Sequence, residues 1–189
     1  MTVLRPTLVL VATLTVITGL AYPLAVTGAA AVLFPEEAGG SLVLRDGVPV
    51  GSALVGQPFD DPAWFWGRPS ATAPLPYDGL GSAGSNLGPT HPALAQAVRA
   101  RIAALREADP GAVGPVPVDL VTASASGLDP DVSPAAAFFQ VDRVARARGL
   151  DPSAVRTLVL DHVEPPLLGI VGAPHVNVLG LNLALEAPR

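Results

Sequence analysis

The feature that most constrains this chain is a charge-free apolar stretch near its N-terminus. Residues 7–34 contain no Asp, Glu, Lys or Arg, and the run exceeds the roughly 20 apolar residues that a helix needs to cross about 30 Å of hydrocarbon. We therefore predict a transmembrane helix with a kink near Pro23. The alternative is a cleaved signal peptide with residues 28–31 as its small-residue cleavage site. Because the apolar core of a signal peptide is usually only about 7–15 residues long, the length favours a retained anchor.

The few charges that flank this stretch predict its orientation. Arg5 precedes the stretch, whereas Glu36 and Glu37 follow it. The positive-inside rule counts basic residues and gives acidic ones little weight, so the N-terminus is expected in the cytoplasm. The sequence thus predicts a single-pass protein of the cell (inner) membrane. Residues 1–34 form its tail and transmembrane helix, and residues 35–189 form one extracytoplasmic domain.

Composition excludes several classes of function. The net charge is −5 and the 11 basic residues, all arginine, form no run, which disfavours a nucleic-acid partner. The chain has no cysteine, so it can form neither a disulfide nor a thiolate metal site.

Beyond the apolar stretch, the pattern predicts a hairpin followed by a long ordered loop. Asp46-Gly47 lies between two apolar runs, which predicts a β-hairpin within residues 41–55. Residues 56–89 are rich in Pro, Gly and Ser, but aromatic residues are scarce in disordered segments. We therefore expect a loop packed by its own aromatic side chains, which are Trp64, Phe65, Trp66 and Tyr77.

The rest of the chain reads as helices with one strand, so the soluble part is expected to be a mixed α/β domain. Residues 115–121 predict a buried strand. Capping and stop signals predict a helix from Thr90 that ends at Asp109-Pro110-Gly111, a second from Ala135 to Arg148 that Ser133 caps and Gly149 stops, and a third from Asp151 to about His162. The tail, residues 176–185, alternates like a strand, but its length and an Asn177 cap also permit a helix, and we lean towards the helix.

Two loops have a composition that suits partner contact. Trp64, Trp66 and Arg68 are residue types enriched at interfaces, although the same aromatics could simply fill a small core. Residues 122–127 (TASASG) carry three hydroxyls, no charge and little bulk, which suits close approach by another backbone or a partner surface.

No motif in the sequence independently supports a catalytic centre. Ser124 and Ser126 lack the Gly-x-Ser-x-Gly context of a nucleophile. The cluster of Asp161, His162 and Glu164 does not share one helix face, and residues 81–88 lack the Gly-Lys-Ser/Thr ending of a phosphate loop.

Several motifs, in this order along nearly the whole chain, resemble one family. They are the N-terminal span, Gly56-Gln57 with Phe59, WFWGRPSA (64–71), GSNLGP (84–89), VDLVTASASGLD (118–129), SPAA (133–136) with Gln140, RVA (143–145), VNVL (176–179) and NLAL (182–185). Each motif alone is modest, and together they are highly specific. The chain resembles the KdpC family, the C chain of the bacterial potassium-transporting P-type ATPase.

The resemblance implies a non-catalytic accessory subunit of a potassium uptake pump. The implied partners are a K⁺-carrying A chain, an ATP-hydrolysing B chain and a small F chain. Family members are described as catalytic chaperones that raise the ATP affinity of the B chain, and on this likeness Gln140 is the residue implied to lie near nucleotide. The predicted topology conflicts with direct contact, because ATP lies in the cytoplasm. The expected cofactor is therefore ATP bound through the partner subunit.

We accordingly expect docking through the two loops, and an alternative function stays open. The docking residues are expected to be Trp64, Trp66, Arg68, Ser70, Ser124 and Ser126. The alternative is a membrane-anchored extracytoplasmic binding or scaffolding domain that is unrelated to a pump.

Overall fold

The computed structural model describes residues 3–186 and divides into two compact units, one ending at Val50 and one beginning at Gly51. The first unit contains α1 (Leu4–Val16), a π-helical turn (Ile17–Ala21), α2 (Tyr22–Leu33), the short α3 (Pro35–Ala38) and β1 (Leu42–Arg45). The strand β2 (Val48–Ser52) crosses the division and pairs with β1. The predicted hairpin at Asp46-Gly47 is therefore confirmed.

Within the described residues, one helical run is long and apolar enough to cross a membrane. It extends over Leu4–Leu33. A kink is predicted near Pro23, and the π-helical turn, Ile17–Ala21, ends two residues before that proline. Proline has no backbone N–H and its ring crowds the carbonyl four residues earlier, which favours a locally wider turn.

Up to residue 186, the second unit contains four α-helices and an antiparallel pair of two-residue strands. The helices are α4 (Pro92–Ala108), α5 (Pro134–Arg148), α6 (Pro152–Asp161) and α7 (Val178–Glu186). The strands β3 (Asp131–Val132) and β4 (Val176–Asn177) are antiparallel, with Val132 opposite Val176. The mixed helix and strand content confirms the predicted fold class. The division at residue 34 between the two predicted domains stays a prediction.

Helix boundaries in this unit follow local capping chemistry. The Ser133 hydroxyl accepts from the Ala136 N–H at 3.1 Å, and the Asp151 carboxylate accepts from the Ser153 N–H at 2.7 Å. Gly149 ends α5 in the left-handed conformation at φ 63°, which glycine adopts without steric cost. Asn177 caps α7 through the Gly180 N–H, so the helical interpretation of the tail is confirmed from Val178 onward.

The prediction of a strand over residues 115–121 is wrong. The structure has a 3₁₀ turn at Val118–Leu120 instead. Pro115 and Pro117 lack the N–H groups that a ladder needs. The turn is held by side chains, because the Asp119 carboxylate accepts from the Ser133 N–H at 2.6 Å.

The hydrophobic core lies between α5, α6, α7 and the irregular segments that cross them. Phe65 is the largest apolar side chain that is fully buried, and it comes from the long loop. The other members of the core include Leu120, Val121, Val132, Val141, Val144, Val155, Val159, Val176 and Leu181.

Candidate partner-docking site

Two buried amide side chains hold the aromatic loop, residues 64–70, on the helices. The Gln140 amide on α5 accepts from the Trp66 N–H at 2.8 Å and donates to the Trp66 carbonyl at 3.1 Å. The Asn182 amide on α7 does the same for Phe65, at 2.9 and 3.0 Å. Each amide is 1% exposed. Consecutive residues of an irregular loop thus pair with side chains as a strand pairs with a neighbouring strand.

Two arginines from α5 lie over the indole rings of the same loop. The Arg143 guanidinium lies 4.2 Å from the Trp66 ring centre, and the Arg148 guanidinium lies 4.1 Å from the Trp64 ring centre. Burial lowers the pKa of Arg143 to about 10, so it keeps its positive charge at neutral pH. These cation–π contacts and the two amides fix the loop in one conformation.

The hydroxyl loop, residues 122–127, packs directly against the aromatic loop. The Ser70 hydroxyl donates to the Gly127 carbonyl at 2.8 Å and accepts from the Tyr77 N–H at 2.9 Å. The Ser124 hydroxyl accepts from the Gly127 N–H, and the Ser126 hydroxyl accepts from the Leu128 N–H. The two loops therefore form one unit, which we call the docking block, defined as residues 64–70 and 122–127.

A groove of about 470 Å³ opens beside the docking block. Its lining is amphipathic and includes Phe59, Trp66, Arg68, Tyr77, Arg101 and Leu120. Burial is the main cause that raises the pKa of Tyr77 to about 12. The phenol is therefore neutral at physiological pH and donates to the Arg68 carbonyl.

Arg68, in the docking block, has one N–H group that is not hydrogen-bonded within the described residues. Its Nη1 lies 2.9 Å from the Asp129 carboxylate, and its Nη2 lies 3.4 Å from the Ala123 carbonyl. Its Nε is buried and has no hydrogen-bond partner among residues 3–186. A buried donor without an acceptor costs free energy.

Comparison with known proteins identifies the family. The model of the family described as K⁺-transporting ATPase, c chain (KdpC), matches residues 4–187. The chain belongs to the KdpC family. Relatives named potassium-transporting ATPase KdpC subunit include those of Variovorax paradoxus (strain S110), 66% identical over 98% of this chain and 96% of the relative, and Sorangium cellulosum (strain So ce56), 65% identical over 98% of each.

Membership of the KdpC family confirms the resemblance that the sequence motifs indicate. It makes the chain a subunit of a K⁺-transporting ATPase and supports an accessory role in potassium uptake. Membership of a pump complex and the one candidate transmembrane helix among the described residues are both consistent with location in the membrane. The alternative of a binding domain unrelated to a pump is not supported.

The structure brings together most of the predicted docking residues but separates Gln140 from the surface. Trp64, Trp66, Arg68 and Ser70 are partly exposed and lie in the docking block, as does Ser126. Ser124 is buried within it. All four hydrogen-bonding positions of the Gln140 amide are occupied, by Trp66, Ala136 and Arg143.

Sequence reasoning missed Asn182 and Arg143, the other buried polar groups that hold the loop. Asn182 lies within the apolar helix LGLNLAL, and a lone amide in such a helix signals a buried hydrogen-bonded group. Arg143 falls on the core face of α5, three residues after Gln140, and gave no comparable signal.

The imidazoles of His91 and His162 have local structural partners. The His91 imidazole caps α4 by accepting from the Ala93 N–H at 3.1 Å. His162 Nδ1 lies 2.8 Å from the Leu158 carbonyl. In the part of the chain that the structure describes, no group of three or more His, Asp and Glu could hold a metal ion.

Proposed function

We propose that this chain is a non-catalytic accessory subunit that stabilises an ATP-driven potassium uptake pump and promotes ATP use by the subunit that hydrolyses it. The observation that carries this proposal is the docking block. A hydrogen bond joins its two loops, and it presents Trp66 and Arg68, both partly exposed, beside a groove.

The partners that we propose are the K⁺-carrying A chain, the ATP-hydrolysing B chain and the small F chain. The docking block contacts the A chain on its extracytoplasmic face. This placement is supported by Arg5 ahead of the apolar helix, which favours a cytoplasmic N-terminus and an extracytoplasmic soluble unit.

The effect on ATP use is indirect in this proposal. Gln140 is 1% exposed and its amide is fully engaged within the chain, which leaves it no capacity to bind a nucleotide. Any influence on ATP affinity is then a coupling free energy passed through the A and B chains, typically about 1–3 kcal/mol. Such coupling disappears when the complex dissociates.

Replacing Arg68 tests the docking face. We expect Arg68→Ala in the full-length chain to reduce co-purification with a tagged A chain about thirtyfold, because interface hot spots often cost about 2 kcal/mol or more. Arg99→Ala is the matched control, since Arg99 is exposed on α4 outside the block. Its recovery should equal that of the wild type.

Trp66→Ala separates docking from a purely structural role of the aromatic loop. Docking predicts loss of the complex beyond any loss of thermal stability of the chain. A Trp66→Ala chain that melts at a lower temperature but stays in the complex, together with full recovery of Arg68→Ala, would contradict the proposed docking face.

A further inference from the structure

A tight turn far along the chain from the docking block carries a cluster of exposed apolar side chains. The turn, residues 166–172, follows α6 and precedes β4. Four large apolar side chains project from it, with exposed fractions of 69% for Leu167, 86% for Leu168, 83% for Ile170 and 58% for Val171. Exposed apolar side chains grouped in this way are typical of an interaction site.

The internal hydrogen bonds and the uncharged sequence of the turn favour its removal from water. Its backbone hydrogen bonds are made within itself: Leu167 donates to Val171 and Val171 to Leu167, while Gly169 donates to Pro166 and Ile170 to Leu167. Residues 165–174 (PPLLGIVGAP) contain no charged side chain. These four hydrogen bonds and the lack of charged side chains lower the free-energy cost of removing the turn from water.

The turn is also held in one shape. Pro165 and Pro166 restrict its entry, and the bridge between Glu164 and His175 closes its base. Leu168 has a φ of +53°, a conformation that costs a non-glycine residue roughly 1 kcal/mol. A strained apolar residue at the tip of a preorganised turn loses little further entropy when it binds.

The charges around the turn favour a protein surface over lipid as its occupant. Residues 140–189 contain no Phe, Trp or Tyr, and no Lys or Arg lies near the turn in sequence, whereas segments that bind at the bilayer interface carry both types of residue. Its base is acidic, because the carboxylates of Asp131 and Glu164 lie 3.8 and 3.6 Å from His175 Nε2. Residues 51–189 hold 9 Arg against 13 Asp and Glu, a net charge of −4, which an anionic bilayer surface repels.

From this geometry we infer that the turn is a second docking element, which inserts Leu168 and Ile170 into an apolar pocket rimmed by basic groups on the K⁺-carrying chain of the pump. The inference rests on the proposed function, because it requires a partner subunit. It adds an anchor to a subunit whose docking block is polar and aromatic.

The test is co-purification of the full-length Leu168→Asn, Ile170→Asn chain with the tagged K⁺-carrying chain. Asparagine tolerates a positive φ, so Leu168→Asn preserves the backbone of the turn. We expect recovery to fall about tenfold while the thermal midpoint of the isolated full-length chain stays unchanged, because both side chains are exposed. Leu80→Asn is the control, since Leu80 is 101% exposed in another loop, and it should co-purify normally.

The outcomes separate this inference from the function on which it rests. A double variant that co-purifies like the wild type overturns the inference alone. A wild-type chain that does not co-purify at all overturns the proposed function and this inference with it.

A fluorescent probe distinguishes lipid from protein as the occupant. Because the chain has no cysteine, Leu168→Cys provides one unique site for an environment-sensitive dye in the full-length chain. In liposomes without partner chains, the emission should match that of a water-exposed dye. A blue shift there, with quenching by spin-labelled lipid, would overturn the inference in favour of membrane insertion.

Discussion

Gln140→Ala should destabilise the second unit by about 3 kcal/mol and release the aromatic loop. The substitution removes a buried amide that makes hydrogen bonds to Trp66, Ala136 and Arg143. It leaves the Trp66 N–H and the Arg143 guanidinium short of an acceptor in a buried site, and each such group costs about 1–3 kcal/mol. Urea unfolding of residues 39–189, followed by tryptophan fluorescence, measures the change, because both tryptophans lie in this loop.

Gln96→Ala is the matched control for this prediction. Gln96 is exposed on α4. Its replacement deletes an amide that is solvated by water in the folded and in the unfolded chain, so the free energy of unfolding should change by less than about 0.5 kcal/mol. Equal free energies of unfolding for Gln140→Ala and Gln96→Ala would contradict the role that we assign to the buried amide.

Gly127→Ala should cost about 2–4 kcal/mol, because this glycine is constrained in two ways. Its φ of +68° is strained for any residue with a Cβ, at roughly 1 kcal/mol. A Cβ there would also lie 2.5 Å from the Ala83 carbonyl oxygen and 2.8 Å from the Thr72 methyl carbon. Relief of these contacts requires the loops to separate, and overpacking of this kind costs about 1–3 kcal/mol more.

Gly149→Ala measures the first cause alone, so the difference between the two variants gives the second. Gly149 has a similar φ of +63°, but a Cβ there would meet nothing within 4 Å. Its replacement should therefore cost only the backbone strain, about 1 kcal/mol. If chemical denaturation gives Gly127→Ala the same cost as Gly149→Ala, the loops do not pack as closely as described.

The features that the sequence predicted correctly are those decided by neighbouring residues. Ser133 and Asp151 cap helices through N–H groups two or three residues away, and Gly149 ends α5 by its own conformational freedom. Asp46-Gly47 closes a hairpin for the same local reason. The prediction of a strand over residues 115–121 was wrong because it rested on the apolar pattern. The backbone conformation there is decided by Pro115 and Pro117, which have no N–H groups for strand pairing.

The arrangement of the candidate site lay beyond sequence reasoning because its contacts are distant in the chain. Gln140 is 74 positions from Trp66, and Asn182 is 117 positions from Phe65. Composition indicated that the aromatic loop is ordered and that its Trp and Arg residues suit a partner. It could not distinguish an aromatic residue in the core, Phe65, from partly exposed ones on either side, because burial depends on where α5 and α7 present their amides.

The central claim is that this chain promotes ATP use through its partners and does not bind the nucleotide itself. Isothermal titration calorimetry of ATP, with and without Mg²⁺, into the fragment of residues 39–189 tests it most directly. The account predicts no binding heat at any accessible ATP concentration, because the Gln140 amide has no free hydrogen-bonding position and the soluble unit is expected outside the cytoplasm. Binding of one ATP per fragment that is lost in Gln140→Ala, with the fragment still folded, would contradict it.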